Sequence, residues 1–177
     1  VNGIDPSGLY MAALLGQKVH ADWEARIVLK YKGFDVRAER AITTTTGRII
    51  RPDIIHVSFS EVYEIKPLSK YGLKGHAQLA GYIVELNLLK YEGRIYRNGL
   101  MYTPVSGAVY PIPGTPGFSY ITLYNSFGVL FYKILTPKTT PGFLSKEVKN
   151  EVKDDVKNKR MAPISETFDD LLNMLQG

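Results

Sequence analysis

Hydrophobic residues recur at helical spacing near the start of the chain. Between residues 17 and 32 they fall on every fourth position, at Val19, Trp23, Ile27 and Tyr31. This period places them on one face of a helix, and Gly33 is a typical helix stop. We therefore predict a helix over residues 17–32 with one buried stripe. His20 and Glu24, also four residues apart, fall on a neighbouring stripe.

The pattern then changes from helical spacing to alternation, which indicates strands. Strands are predicted over residues 34–42, 49–59 and 61–67. The first two are joined by a hairpin through the threonine-rich residues 43–48. A second helix is predicted from His76 to Leu89, after a loop marked by Gly72 and Gly75.

The second half of the chain is rich in strand-forming and turn-forming residues. Further strands are predicted over residues 95–102, 119–125 and 129–135. Tyr120, Tyr124 and Tyr132 in this region are interpreted as packing residues, with a stacking platform for nucleic-acid bases as the alternative. The predicted fold class is α/β (α+β): a mixed sheet flanked by helices, with additional strands and a C-terminal helical tail.

Three segments follow from this pattern. Residues 1–16 are interpreted as a junction segment with turn chemistry at residues 2–9, and residues 17–137 as the globular domain. Residues 138–177 are predicted to be a charged linker followed by an amphipathic helix. Because the chain starts at Val1 and lacks the features of a signal peptide, we expect it to be a piece of a longer protein.

Composition narrows the chemistry. The chain has 177 residues and no cysteine, which excludes disulfides, thiol nucleophiles and cysteine-ligated zinc. No apolar run approaches the roughly 20 residues that a membrane span requires. Residues 1–137 hold 15 basic and 10 acidic residues, which accounts for the whole formal charge of +5. This excess favours a polyanionic partner.

Two short motifs on neighbouring predicted strands place charged groups together. Glu64 and Lys66 project from the same face of a strand, since residues two apart share a face. If this strand forms a hairpin with residues 49–59 that turns around residues 58–60, Asp53 lies opposite Glu64 or Lys66. The sequence thus predicts two carboxylates and one ammonium group within a few ångströms.

Such a cluster suits metal-assisted phosphodiester hydrolysis. Two neighbouring carboxylates repel each other unless a cation joins them, and Mg²⁺ takes oxygen ligands of this kind. A lysine beside the metal can orient or deprotonate the attacking water. The alternative is an exposed strand with an ordinary Glu–Lys surface pair.

The order of these motifs resembles the PD-(D/E)xK nuclease superfamily, the restriction-endonuclease-like fold. Pro52-Asp53 and Glu64-Ile65-Lys66 match its signature, and Gln78 and Tyr82 resemble the QxxxY motif of the RecB-type branch. The resemblance implies that Asp53, Glu64 and the Ile65 carbonyl bind Mg²⁺, for which Mn²⁺ can substitute. It further implies that Lys66 positions the water, and that Gln78 and Tyr82 order the site.

By the same resemblance, Glu24 matches the acidic residue on the first helix of the family, which completes the metal coordination. A plain surface carboxylate is the alternative for Glu24, and a structural histidine is the alternative for His20. The residues expected to contact nucleic acid around the site are Arg48, Arg51, Lys70, Lys74, His76 and His20.

The opening residues VNGIDPSGL resemble the end of the core of Rhs/YD-repeat proteins, where a DPxGL segment precedes a variable toxin. This resemblance implies a secreted effector that enters a competitor or host cell and cuts nucleic acid there. As the substrate, DNA is favoured over RNA, and RNA remains the alternative. It implies two protein partners, the repeat shell of the parent protein and an acidic immunity protein. A repair or resolution endonuclease of the same fold, and a non-catalytic nuclease-like module, remain the alternatives.

Overall fold

The computed structural model describes residues 6–69 and 73–137, which contain two α-helices, nine β-strands and two 3₁₀-helices at Val57–Phe59 and Tyr91–Gly93. The α-helices are α1 (Pro6–Lys30) and α2 (Leu73–Leu88). The strands are β1 (Val36–Ala38), β2 (Ile42–Thr43), β3 (Ile49–Ile50), β4 (Ile54–His56), β5 (Glu61–Pro67), β6 (Arg97–Asn98), β7 (Val109–Pro111), β8 (Ser119–Ser126) and β9 (Val129–Leu135).

Helix α1 begins at Pro6, well before the predicted start at Gln17. Proline is favoured in the first helical turn because its fixed φ suits the helix and its missing N–H has no partner there in any case. The turn predicted over residues 2–9 is therefore wrong from Pro6 onward, and residues 2–5 lie outside the described residues. The predicted buried stripe is confirmed, since Val19, Trp23 and Ile27 are each at most 1% exposed.

The main sheet has seven strands, in the order β1-β4-β5-β9-β8-β7, with β6 also paired to β5. Strand β5 lies in the middle, antiparallel to β4 and parallel to β9. Strands β2 and β3 form a separate two-stranded hairpin. The predicted mixed sheet flanked by helices is confirmed, as are the hairpin through the threonine-rich segment and the third predicted strand, β5.

Several predicted strands are shorter than expected. The strand predicted over residues 34–42 divides into β1 and β2 around Glu39, whose φ of 43° is left-handed. The strand predicted over residues 49–59 divides into β3 and β4 at Pro52, which has no N–H for a ladder. The strand predicted over residues 95–102 is reduced to β6.

The two helices pack against opposite faces of β5. Tyr63 and Ile65 belong to the hydrophobic core that also contains Trp23 of α1. The alternate face of β5 meets α2, where a Cβ atom built on Gly75 would lie 2.9 Å from Cγ of Lys66. Glu64 and Lys66 therefore project toward the α2 side.

Tyrosines from β8 and β9 contribute to the core, as predicted. Tyr120 and Tyr132 are at most 1% exposed, whereas Tyr124 is half-buried. One compact unit ends at Thr136, and the predicted linker and tail helix of residues 138–177 lie outside the described residues. Neither α1 nor α2 is long and apolar enough to cross a membrane.

Candidate active site

Asp53 lies between β3 and β4, directly after Pro52. Its side chain is buried, and Oδ2 accepts a hydrogen bond of 2.6 Å from the backbone N–H of Ile65. In the ladder between β4 and β5, Ile54 faces Tyr63. Extending this register by one pair places Asp53 opposite Glu64, which is one of the two predicted partners.

Glu64 and Lys66 form an ion pair on the same face of β5. Nζ of Lys66 lies 2.6 Å from Oε1 of Glu64, whose side chain is only 1% exposed. The other carboxylate oxygen of Glu64, Oε2, is buried and has no hydrogen-bond partner among the described residues. Burial and the charge of Asp53 raise the pKa of Glu64 to about 7, although Lys66 and His20 act in the opposite direction.

Helix α1 brings a third carboxylate to this cluster. Glu24 is buried, and its Oε1 has no hydrogen-bond partner in the part of the chain that the structure describes. Burial, followed by the charges of Asp53, Glu39 and Glu64, raises its pKa to about 8. Glu24 is therefore part of the buried acidic cluster and not a plain surface carboxylate.

His20 lies one helical turn before Glu24 and faces the same cluster. Its Nδ1 is 3.6 Å from Oδ1 of Asp53. His20, Glu24 and Asp53 each offer a ligand atom, and these three atoms lie within 4.8 Å of one another. Atoms that bind one divalent ion at about 2.0–2.4 Å lie at separations of this size.

The chemistry of this cluster fits a divalent cation. The carboxylates of Glu24, Asp53 and Glu64 meet there, and the ammonium group of Lys66 pairs with one of them, Glu64. Two buried carboxylate oxygens, one on Glu24 and one on Glu64, have no hydrogen-bond partner among the described residues. Buried carboxylates without partners are costly unless a proton or a metal ion joins them.

Gln78 and Tyr82 lie on one face of α2, as predicted. The side-chain amide of Gln78 donates a hydrogen bond of 2.6 Å to the hydroxyl of Tyr82. Burial raises the pKa of Tyr82, and the nearby charges of Glu64 and Asp53 raise it further. The electrostatic influence of these carboxylates indicates that Tyr82 is close to the cluster.

The whole cluster falls within residues 9–101, which match a family model described as restriction endonuclease fold toxin 9. This match spans just over half of the chain. The chain belongs to this family of restriction endonuclease fold toxins. Comparisons with curated proteins and with solved structures gave no match.

Membership in this family agrees with the predicted restriction-endonuclease-like fold and with the predicted class of nuclease toxin. Every residue that we predicted to be catalytic or metal-binding lies within the matched part of the toxin. The family description names no metal, no substrate and no parent protein, so these remain predictions.

The basic residues predicted around the site are spread over several elements of the toxin. Arg48, on the β2–β3 hairpin, pairs with Glu85 of α2 at 3.2 Å. Arg51 and Lys74 are exposed, and Lys70 lies outside the described residues. Nε2 of His76 lies 3.1 Å from both the carbonyl oxygen and the hydroxyl of Ser126. The ring of His76 is thus already held by the end of β8.

Two residues near the toxin's acidic cluster were assigned differently or missed. His20 was predicted to contact nucleic acid, and the structure also places its Nδ1 beside Asp53 and Glu24, in a group that could hold a metal ion. Its spacing of four from Glu24 was the available signal for this second role. Glu39 was not singled out, although its charge contributes to the raised pKa of Glu24. Its backbone N–H donates to the carbonyl oxygen of Asp53 at 3.0 Å. No sequence pattern marks Glu39, because its proximity depends on the break between β1 and β2.

Proposed function

We propose that this toxin domain is a divalent-metal-dependent endonuclease that hydrolyses phosphodiester bonds of nucleic acid, with DNA as the preferred substrate. The observation that carries the proposal is the cluster of Asp53, Glu64 and Lys66, joined by Glu24 and His20 from α1. A buried acidic cluster beside a lysine suits this reaction. It has no evident structural purpose, because well-packed apolar residues in its place would give the fold an equal or higher free energy of unfolding.

Asp53, Glu64 and Glu24 would hold the metal, with the ring nitrogen of His20 as a further ligand. The backbone carbonyl of Ile65 is a fifth candidate ligand. The N–H of Ile65 donates to Asp53, and because the N–H and C=O of one strand residue point to the same side, the carbonyl is directed toward Asp53 as well. Mg²⁺ accepts such oxygen ligands, and Mn²⁺ combines carboxylates with an imidazole more readily.

When bound, a divalent cation supplies Lewis-acid activation of the phosphodiester and of the attacking water. The side chains around it provide the remaining functions. Lys66, held by Glu64, orients the water and can exchange a proton with it. The hydroxyl of Tyr82, fixed by Gln78, orders the α2 side of the site and keeps Lys66 directed toward the substrate.

We further propose that the toxin is the C-terminal part of an Rhs/YD-repeat protein and acts in the cytoplasm of a target cell after secretion. The support is the opening sequence VNGIDPSGL together with the toxin family. A producing cell must be protected from such an enzyme. We therefore expect an immunity protein, acidic in keeping with the basic toxin.

The direct test incubates the purified chain with supercoiled DNA, linear DNA and tRNA, in Mg²⁺, Mn²⁺ or EDTA. We expect cleavage of DNA in either metal and none in EDTA. Asp53→Asn and Lys66→Ala should each lower the cleavage rate at least about 100-fold, because each removes a group that acts on the reacting atoms. The matched controls are Asp35→Asn and Lys90→Ala, which remove the same charges from exposed positions and should leave the rate unchanged.

Calorimetric titration with Mn²⁺ separates this proposal from a non-catalytic module. We expect wild-type chain to bind Mn²⁺, and His20→Ala to bind it at least about tenfold more weakly. His76→Ala, which changes a histidine held by Ser126, is the matched control and should bind normally. If no metal binds and Asp53→Asn alters nothing, the nuclease proposal is wrong and the acidic cluster is incidental.

A further inference from the structure

A cleft lies beside the C-terminal half of α1, away from the acidic cluster. Its volume is about 330 Å³, within the range of small-ligand sites. One wall is formed by Arg26, Leu29 and Lys30 of α1, and the opposite wall includes Tyr102 and Val105 of the segment after β6. None of the residues proposed for catalysis lines it.

The geometry of α1 fixes the position of this cleft relative to the active site. Successive residues are rotated by about 100° around a helix, so Glu24 and Arg26 lie on opposite sides of the buried stripe of Trp23 and Ile27. Lys30 follows Glu24 by six residues, a rise of about 9 Å along the helix axis. A single rigid element therefore carries the metal-binding residues on one flank and the cleft on the other.

Arg26 is held in place on the cleft wall. Its Nε donates a hydrogen bond of 2.7 Å to Oδ2 of Asp22, which also accepts one of 2.8 Å from the hydroxyl of Tyr120. Its guanidinium carbon lies 4.2 Å from the centroid of the Tyr110 ring. A further side-chain interaction joins Arg26 to the hydroxyl of Tyr120. The arginine is thus held in one orientation on the cleft wall, and a guanidinium with five N–H donors has more donors than these two partners engage.

Lys30 adds a second cation one helical turn away. Its Nζ lies 5.0 Å from the centroid of the Tyr102 ring. No carboxylate of the described residues forms an ion pair with it. Asp22, about two helical turns before Lys30 on α1, is already engaged by Arg26 and Tyr120. Arg26 shares its carboxylate partner Asp22 with Tyr120, and Lys30 has no such partner among the described residues, so the two cations favour an anionic ligand.

The rim of the cleft is apolar. Leu29 and Val105 both line the cleft, and each is 71% exposed. Large apolar side chains that remain so exposed beside two cations suit a ligand with an anionic group and a flat, weakly polar body. An unpaired nucleotide has both parts, a phosphate and a base with an exposed π-face.

We propose that this cleft binds an unpaired nucleotide of the substrate, with its phosphate on Arg26 and Lys30 and its base against Leu29 and Val105. The proposal rests on the proposed nuclease function, and it specifies the substrate class as nucleic acid with a single-stranded segment. A fully paired duplex keeps its bases stacked inside and must unpair one before it can fill the cleft.

The test measures binding of the full chain in EDTA, where no cleavage is expected. Fluorescence anisotropy compares a labelled single strand of about 12 nucleotides with a blunt duplex of the same sequence, at several salt concentrations. We expect tighter binding of the single strand. The double variant Arg26→Gln/Lys30→Gln should weaken it about tenfold and reduce the salt slope by about 1.4, since each phosphate contact contributes roughly 0.7.

A second variant separates the base from the phosphate. Leu29→Ser/Val105→Ser should weaken single-strand binding without changing the salt slope, because it removes no charge. The matched control is Lys32→Gln/Lys90→Gln, which removes the same charge as the first variant from exposed positions outside the cleft. It should remain within about twofold of wild type. Thermal unfolding of each variant verifies that the fold is retained.

The outcomes are distinguishable from those of the nuclease test. The cleft does not bind a nucleotide if its variants bind the single strand as tightly as wild type does. The same conclusion follows if the control variant loses as much affinity as the cleft variants. Both conclusions hold whether or not the wild-type chain cleaves nucleic acid. If duplex and single strand bind equally well and lose the same affinity in the cleft variants, the proposal that the cleft requires an unpaired nucleotide is wrong. If the cleft variants lose affinity as expected but the wild-type chain cleaves nothing with any metal, nucleotide binding by the cleft is supported and the proposed nuclease function is wrong.

Discussion

At the scale of single residues, His56 is the clearest case of a group whose surroundings control its charge. It is fully buried, and neither ring nitrogen has a hydrogen-bond partner within the described part of the chain. Its ring stacks on Phe59 with centroids 4.1 Å apart and meets Tyr31 edge-on at 4.7 Å. Burial lowers its pKa, although the charges of Glu61 and Asp35 act in the opposite direction.

This position predicts an acid-sensitive fold. Because the folded-state pKa of His56 lies below the ordinary 6.5, its neutral form stabilises the fold fully above that pH, and this contribution is lost as pH falls further. His56→Phe keeps the aromatic packing and removes the proton site. We expect the wild type to lose more stability than His56→Phe between pH 7 and pH 5, by up to about 1.4 kcal/mol per pH unit.

Urea unfolding of both proteins at the two pH values measures this difference. Each protein is compared with itself at the two pH values, so any loss of unfolding free energy that the substitution causes at both pH values cancels. Equal losses of stability in the two proteins would contradict the prediction and would mean that His56 does not take up a proton in this range.

At the scale of elements, the close approach of α2 to β5 positions Lys66. Gly75 makes this approach possible, because a Cβ there would lie 2.9 Å from Cγ of Lys66 and 3.1 Å from Cγ1 of Val129. Gly81, in the same helix, has no atom within 4 Å of its would-be Cβ. The two glycines therefore form a matched pair, because both lie within α2 and only Gly75 has atoms close to its would-be Cβ.

Alanine substitution separates these two effects. Gly81→Ala should raise the free energy of unfolding by about 0.5–1 kcal/mol, the usual gain for alanine over glycine within a helix. Gly75→Ala should gain less or lose stability, and it should slow cleavage because Lys66 must move. Denaturant unfolding and the DNA cleavage assay measure the two quantities. Equal stabilisation by both, with unchanged cleavage, would show that the approach at Gly75 does not constrain Lys66.

At the scale of the whole molecule, the buried carboxylate cluster couples folding to pH. Glu24 and Glu64 have pKa values raised from 4.5 to about 8 and about 7. Without metal, the fold therefore favours their protonated forms, and this contribution to stability is lost as pH rises from about 4.5 through 8. A divalent cation requires the ionised forms and reverses this loss.

We therefore expect a given concentration of Mg²⁺ or Mn²⁺ to raise the melting temperature more at pH 8 than at pH 6. Thermal unfolding followed by circular dichroism, with metal and with EDTA, measures the two shifts. Asp53→Asn, which removes a proposed ligand, should show little metal-dependent shift at either pH. A shift of the same size at both pH values would argue against proton-linked binding at the carboxylate cluster.

Local patterns predicted much of the fold and part of the candidate site. The stripe of α1, the strand β5 and the common face of Glu64 and Lys66 follow from the periods of helix and strand. The position of Asp53 follows from a hairpin whose strands are near neighbours in the chain. Helix and strand ends were less accurate, because the first three or so turns of α1 and the break at Glu39 depend on backbone conformation more than on hydrophobic pattern.

Tertiary packing decides which strand lies beside β5 and which residues surround Asp53. In both cases the partners are far apart in the chain. Strand β9 lies parallel to β5, with Glu64 facing Val129, and no local period encodes such a pairing. His20 and Glu24 reach Asp53 because α1 crosses the sheet at one particular place. Periodicity specifies which face a residue occupies, whereas the meeting of two distant faces depends on how the whole core packs.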